Sequence, residues 1–169
     1  MDDDIALLEV LEPLRPFLGT WRGEGAGTYP TIEPFRYREE VQLWHAGKPF
    51  LGYQQRTRNA ASGQPMHSES GFWRAVGPLR GDGPAATVDL EVLIAHPTGL
   101  SELLLGTGRD GRIEVVTSTV TRSPTAKEVT AVTRTMTVVG DELTYEVHMA
   151  AVGQPLQRHL TATLHRAEG

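Results

Sequence analysis

The chain has 169 residues, 39% hydrophobic and 22% charged, which is enough for one domain with a continuous core. It carries 16 Lys+Arg against 21 Asp+Glu, a net charge of -5, and no basic run, so nucleic acid is disfavoured as a partner. The absence of cysteine excludes disulfides, thiolate nucleophiles and Cys-ligated metal sites. No apolar stretch approaches the ~20 residues of a membrane helix, and residues 1–4 are acidic, unlike a secretory signal. We therefore expect a cytoplasmic protein with no membrane partner.

The first predicted element is a short helix, because residues 5–11 hold the only helical pattern and prolines follow at Pro13 and Pro16. From Gly19 onward, segments rich in Val, Thr, Tyr, Phe and Trp alternate with polar residues, which is typical of strands. The predicted strands lie near residues 19–28, 34–45, 50–59, 65–76, 88–96, 99–107, 111–120, 127–138, 142–151 and 155–166. The domain prediction is an N-terminal helical segment, residues 1–18, and a single β-barrel domain, residues 19–169.

The turns between these strands favour neighbouring antiparallel pairs. The Gly and Asp residues at 139–141 and 108–111 are tight hairpin signals. There is too little helix to cover a parallel sheet, so the sequence predicts an all-β fold, a closed antiparallel up-and-down barrel of about ten strands. Such a barrel can hold one small ligand. The Gly- and Pro-rich residues 77–84 are predicted to form an exposed insertion between two strands.

Motifs for acid/base or nucleophilic catalysis are absent. There is no Gly-x-Ser-x-Gly, His-Glu-x-x-His or phosphate-binding glycine loop. Glu39 and Glu40 are adjacent on a strand and point to opposite faces, so they make a poor acid/base couple. The glycines at residues 23–27 are interpreted as bending a strand at a barrel corner.

His159 is the histidine whose position is most informative. If the turn at residues 152–156 is centred near Gln154, Met149 lies opposite His159 and both face the same way. Met149 alternates with apolar residues that should point inward. However, Leu160 and its neighbours at spacing four fall on the face opposite His159, and a one-residue slip would reverse the assignment. The pattern leaves two interpretations, an interior ligand or a hydrogen-bonded core histidine.

Two other histidines follow turn-like segments at strand ends. His67 and His96 would line a pocket entrance or serve as hydrogen-bonded turn residues. No spacing in the chain is that of a zinc site with three convergent ligands. One histidine in apolar company is closer to what a haem requires.

An ordered set of motifs then points to a family. Residues 19–25 match Gly-x-Trp-x-Gly-x-Gly, a signature that resembles that of the nitrobindins. The blocks that look like the family's other landmarks follow in the same order, at residues 29–32, 47–51, 65–69, 94–99 and 154–160. The resemblance runs from about Leu18 to Arg166.

The resemblance implies a ten-stranded antiparallel barrel, similar to fatty-acid-binding proteins and lipocalins, that holds one haem b per chain. It implies that His159 is the axial ligand of the iron, and so both the metal-binding and the catalytic residue. The other positions that it implies for the cofactor pocket are Met66, His67, His96, Met149 and Lys127. Lys127 is matched to a lysine on the haem propionate side.

The activity implied by the resemblance is isomerisation of peroxynitrite to nitrate at the ferric haem, with nitric oxide binding at the ferrous haem. Two alternatives from other classes are a non-enzymatic carrier of a small apolar ligand and a nitric oxide sensor. The expected partners are small molecules, and the expected oligomeric state is a monomer or a homodimer.

Overall fold

The computed structural model describes residues 6–168, which form ten antiparallel strands and two short 3₁₀ helices. The 3₁₀ helices are Glu9–Phe17 and Gly83–Ala85. The strands are β1 (Gly19–Tyr29), β2 (Ile32–His45), β3 (Phe50–Asn59), β4 (Pro65–Arg80), β5 (Thr87–His96), β6 (Leu100–Arg109), β7 (Arg112–Arg122), β8 (Val129–Val139), β9 (Glu142–Ala151) and β10 (Gln157–Arg166).

Each strand pairs with its neighbours in sequence, and β1 pairs with β10 to close the barrel. Closure leaves no unpartnered edge strand, although β7 and β8 pair only between residues 112–116 and 133–137. The predicted fold, a closed antiparallel barrel of about ten strands, is confirmed. In residues 6–168 no helix is long and apolar enough to cross a membrane.

The first 3₁₀ helix closes one end of the barrel. Leu11, Leu14 and Phe17 have no exposed surface, and the indole Nε1 of Trp21 donates a hydrogen bond of 2.8 Å to the carbonyl oxygen of Phe17. The predicted helix at residues 5–11 was placed too early, and residue 5 lies outside the described residues. The actual helix includes both prolines, which the tighter 3₁₀ winding accommodates better than an α-helix would. The domain boundary at residue 18 stays a prediction.

The predicted insertion at residues 77–84 is wrong for its first half. Strand β4 continues to Arg80, which pairs with Thr87 after a register shift that follows Val76. Gly77 lies within this shift at a φ of +69°, a conformation that other residues rarely adopt. Residues 77–80 therefore belong to an irregular part of β4, whereas the composition indicated a loop.

Two of the β1 glycines make room for aromatic rings of β2, a role that the sequence analysis did not predict. A Cβ at Gly25 would collide with the ring of Tyr37, and one at Gly27 would collide with the ring of Phe35. The missing side chains let these two β2 aromatic rings lie against β1. This arrangement directs Tyr37 and Phe35 into the cavity described next.

Candidate functional site

A cavity of about 670 Å³ opens at the end of the barrel opposite the helix. Its volume is within the range of about 300–1,000 Å³ that is usual for small-molecule and cofactor pockets. The half near the mouth is mainly apolar, and its lining includes Tyr29, Ile32, Phe35, Met66, Leu100, Val129, Met149, Val152 and Leu160. The deeper half is polar.

His159 reaches this cavity because the β10 strand is irregular. The predicted pairing of Met149 with His159 is wrong, since Met149 pairs with Gln157 and the register then shifts between Arg158 and Leu160. This bulge inserts one extra residue, which lets both His159 and Leu160 line the cavity. The conflict between the leucine pattern and an inward His159 is thereby resolved, because strict alternation fails at this position.

The hydrogen bond of His159 defines which nitrogen is available to a ligand. Its Nδ1 lies 3.1 Å from the carbonyl oxygen of Thr28, and because a carbonyl only accepts, Nδ1 carries the proton. Burial lowers the pKa of His159, which favours the neutral ring. The ring also packs edge-on against Tyr29, with centroids 5.4 Å apart. Nε2 is therefore the unprotonated nitrogen of an oriented imidazole.

The other five residues implied by the resemblance also line the cavity: Met66, His67, His96, Met149 and Lys127. Lys127 is exposed and lies in the connection between β7 and β8 at the rim. In the closed ring of ten strands, β4 is four pairings away from β10 and β5 is five pairings away. His67 on β4 and His96 on β5 therefore lie across the barrel from His159 on β10. The structure thus brings all six predicted site residues to one cavity.

His67 and His96 converge with a carboxylate that the sequence analysis did not single out. His67 Nε2 lies 3.1 Å from His96 Nδ1, and Glu69 Oε2 lies 3.6 Å and 3.4 Å from these two atoms. These three ligand-type side chains converge in space although the sequence shows no spacing typical of a zinc site. The spacing was uninformative because His96 comes from a neighbouring strand, 29 residues from His67.

An ion network connects this group to the cavity floor. Arg134 on β8 donates to Glu69 at 2.6 Å and to Glu102 at 2.7 Å, and Tyr53 donates to Glu69 at 2.7 Å. Glu102 also contacts His96 Nε2 at 2.7 Å. Burial is the largest influence and acts to raise the pKa of Glu69 and of Glu102, but the charge of Arg134 and the contacts with the histidines together hold both pKa values below the usual range. Both carboxyl groups are therefore ionised at neutral pH.

A second polar group lies beside this network. Glu39 accepts hydrogen bonds from Tyr145 at 2.7 Å and from Gln55 at 2.8 Å, and Tyr145 is also 2.6 Å from the hydroxyl of Tyr37. Glu39 lacks a direct ion pair among the described residues, and burial raises its pKa to about 7. As predicted, Glu40 points to the other face, where it pairs with Arg22 at 2.7 Å.

Sequence reasoning missed this buried polar floor. The signal was alternation: Glu39 lies between Tyr37 and Val41 on one face of β2, and the two neighbours are buried. The same pattern places Gln55 between Tyr53 and Thr57. An ionisable residue in an inward register indicates a buried hydrogen-bond partner, which for Glu39 includes Tyr145 from a strand that is distant in sequence.

A closed ten-stranded barrel with an apolar cavity at one end defines the class of small-ligand-binding β-barrels. Within that class, the profile of the THAP4-like, heme-binding beta-barrel domain matches residues 10–166. The chain belongs to this family, the nitrobindins, as the motifs at residues 19–25 and 154–160 predicted.

Curated relatives cover nearly the whole chain. The chain is 49% identical over 160 residues to "Peroxynitrite isomerase 2" of Mycobacterium ulcerans, covering 92% of this chain and 94% of the relative. It is 47% identical over 167 residues to "Peroxynitrite isomerase 1" of Mycobacterium tuberculosis strain H37Rv, covering 95% and 96% respectively. Among solved structures, the crystal structure of Rv2717c from M. tuberculosis superposes with a TM-score of 0.85 at 47% identity, over 96% of this chain and 100% of that one.

Proposed function

We propose that this chain binds one haem b in its cavity through His159 and isomerises peroxynitrite to nitrate. The observation that carries the proposal is the hydrogen bond from His159 Nδ1 to Thr28, because it leaves Nε2 as the bare nitrogen on a cavity wall. The family and the names of its 47–49% identical relatives support the same reaction.

The residues present fit a haem. The neutral His159 ring is in the protonation state that ligates iron, and the Thr28 carbonyl fixes its orientation and increases its basicity. Met66, Met149 and the aromatic rings of Tyr29 and Phe35 offer apolar surface for a macrocycle. Lys127 at the rim is suited to pair with a propionate, and His67 and His96 form the polar wall opposite His159.

The chemistry supplied by bound haem is that of a Lewis acid, at which the anion rearranges without gain or loss of atoms. The chain's own contribution is to hold and tune the metal and to shape access. His159 would supply the ligand, the apolar wall near the mouth would pack against the macrocycle, and the open end of the barrel would admit a small anion. No protein acid or base is required for an isomerisation of this kind.

A fatty-acid carrier is less compatible with the cavity floor. Arg134, the cation on that floor, is already paired with Glu69 and Glu102. A ligand carboxylate that entered head-first would meet these buried anions instead of a free guanidinium. The sensor alternative shares the haem site, and binding of nitric oxide to the reduced haem protein is part of the present proposal.

Stopped-flow measurement of peroxynitrite decay tests the reaction. The haemin-loaded chain is expected to accelerate decay in proportion to its concentration and to raise the nitrate-to-nitrite product ratio, whereas the haem-free chain does neither. Loaded protein that leaves both decay rate and product ratio unchanged would contradict the isomerase proposal. If such protein still bound nitric oxide with a spectral change, the sensor alternative would take its place.

A further inference from the structure

We propose that His67, Glu69 and His96 form a binding site for a divalent transition-metal ion such as Zn²⁺, on the cavity wall opposite His159. Three donor atoms converge there: His67 Nε2, His96 Nδ1 and Glu69 Oε2. The site is separate from the proposed haem ligand and does not rest on the haem proposal.

The geometry of the donor triangle matches a tetrahedral metal site. The three donor–donor distances are 3.1, 3.4 and 3.6 Å. A tetrahedral zinc ion bound at about 2.0–2.1 Å holds its ligand atoms about 3.3 Å apart. Little movement of the atoms is therefore needed to reach bonding distance. His67 Nε2 donates to His96 Nδ1 in the metal-free chain, so metal binding also requires the proton of His67 to move to its Nδ1. The fourth position faces the cavity that these residues line, where a water molecule or small anion would complete the tetrahedron.

The partners behind the triangle orient its ligands as they do in metal sites. Glu102 Oε2 lies 2.7 Å from His96 Nε2, so Nε2 donates to the carboxylate and Nδ1 is left bare toward the triangle. Glu69 uses Oε1 to accept from Tyr53 and Arg134, while Oε2, which also accepts from Arg134 at 3.2 Å, lies nearest the two histidines. Each of these two ligands thus has its other polar atom engaged behind it.

The charge of the region also favours a cation. The buried carboxylates of Glu69 and Glu102 share one cation, Arg134. When the histidines are neutral, these three groups together carry one excess negative charge. Among the described residues, Glu102 Oε1 is buried and has no hydrogen-bond partner. An excess buried negative charge is costly unless it is compensated, and a divalent ion between Glu69 and the histidines supplies that compensation.

The donor set selects the class of metal. Two imidazole nitrogens and one carboxylate oxygen suit Zn²⁺, Co²⁺ and Fe²⁺, whereas Mg²⁺ and Ca²⁺ take oxygen ligands. Access is available from the mouth of the barrel, because the His67 side chain is 35% exposed while those of His96 and Glu69 are nearly buried.

Titration of the full haem-free chain with Co²⁺ tests the site directly, because tetrahedral Co²⁺ has a characteristic visible absorption. We expect a saturable signal at one equivalent that Zn²⁺ displaces and that excess Mg²⁺ does not. His67→Ala should reduce the affinity at least about tenfold, and Glu102→Gln should weaken it about 10- to 100-fold by loosening His96.

Matched variants separate this site from other histidines. His148→Ala removes a histidine that lies outside the cavity lining, 3.4 Å from Glu146, and His159→Ala removes the one on the opposite wall; both should retain the Co²⁺ signal. Thermal melting confirms folding, and Zn²⁺ should raise the melting temperature of wild type but not of His67→Ala. Absence of a saturable signal in the wild type, an undiminished signal in His67→Ala, or its loss in His159→Ala would overturn the proposal.

Discussion

Tyr145 donates a 2.7 Å hydrogen bond to Glu39, joining β9 to β2 inside the barrel. Glu39 is only 5% exposed. Burial raises its pKa to about 7, although the hydrogen bonds from Tyr145 and Gln55 act to lower it. We therefore expect Glu39 to make the free energy of unfolding depend on pH.

Replacing Glu39 by Gln should remove that dependence. The folded-state pKa of Glu39 is about 7 against a reference of 4.5, so between these values the folded chain binds more protons than the unfolded chain. Stability contributed by this group is therefore lost as pH rises from 4.5 to 7, by about 3 kcal/mol in total. Urea unfolding of the haem-free Glu39→Gln variant should lack this loss, so that its stability relative to wild type increases across the same pH interval.

Glu40→Gln is the matched control, since Glu40 is the next residue and faces outward toward Arg22. Its effect should stay below about 1 kcal/mol at each pH. Equal pH profiles for wild type and Glu39→Gln would show that Glu39 is ionised in the folded chain throughout this interval.

Arg134 should be essential for stability because two buried carboxylates depend on it. Arg134→Met leaves Glu69 and Glu102 without their cation, and we expect a loss of about 3–5 kcal/mol in the free energy of unfolding. Chemical denaturation at pH 7 measures the change. The exposed Arg158 gives the control variant Arg158→Met, with an expected change of less than about 1 kcal/mol.

A triple variant, Arg134→Met with Glu69→Gln and Glu102→Gln, tests the physical cause. Neutralising both carboxylates removes the uncompensated charge, so the triple variant should be more stable than Arg134→Met alone. If it is no more stable, loss of packing around Arg134, and not buried charge, explains the effect of the single variant.

The barrel could be predicted from the sequence because the features that specify it involve residues close together in the chain. Turn residues such as Gly140 fix the ends of hairpins, and alternation along strands such as β8 fixes their faces. The N-terminal helix was predicted too early in the chain because proline normally ends an α-helix, whereas Pro13 and Pro16 lie inside a 3₁₀ helix. Irregular elements of this kind depend on the surface against which they pack.

The candidate site was only partly predictable. A one-residue bulge between Arg158 and Leu160 decides the direction of His159, and no residue in the sequence marks it. The resemblance to the nitrobindins indicated that His159 faces the cavity, whereas the alternation pattern left its direction open. The buried network of Glu69, Glu102 and Arg134 joins strands separated by up to 65 residues, so its pairing follows from the closed topology and from no local pattern.

Lys127 should contribute modestly to haemin affinity through a propionate. Because the residue is exposed at the rim, solvent and salt screen its charge, and Lys127→Ala should weaken haemin binding only about two- to fivefold, less at high ionic strength. Arg122→Ala, at the nearby end of β7 but outside the cavity lining, should leave the affinity unchanged. Equal effects of the two variants would argue against a specific contact by Lys127.

The identity of the axial ligand is tested most directly by a haemin titration followed by absorbance, with wild type, His159→Ala and His148→Ala, the control outside the cavity lining. Because His159 presents a bare Nε2 to the cavity, wild type and His148→Ala should each show a saturable Soret shift at one equivalent, which His159→Ala should lose while still melting cooperatively. An unchanged Soret shift and affinity in a folded His159→Ala protein would contradict the assignment of His159 as the haem ligand.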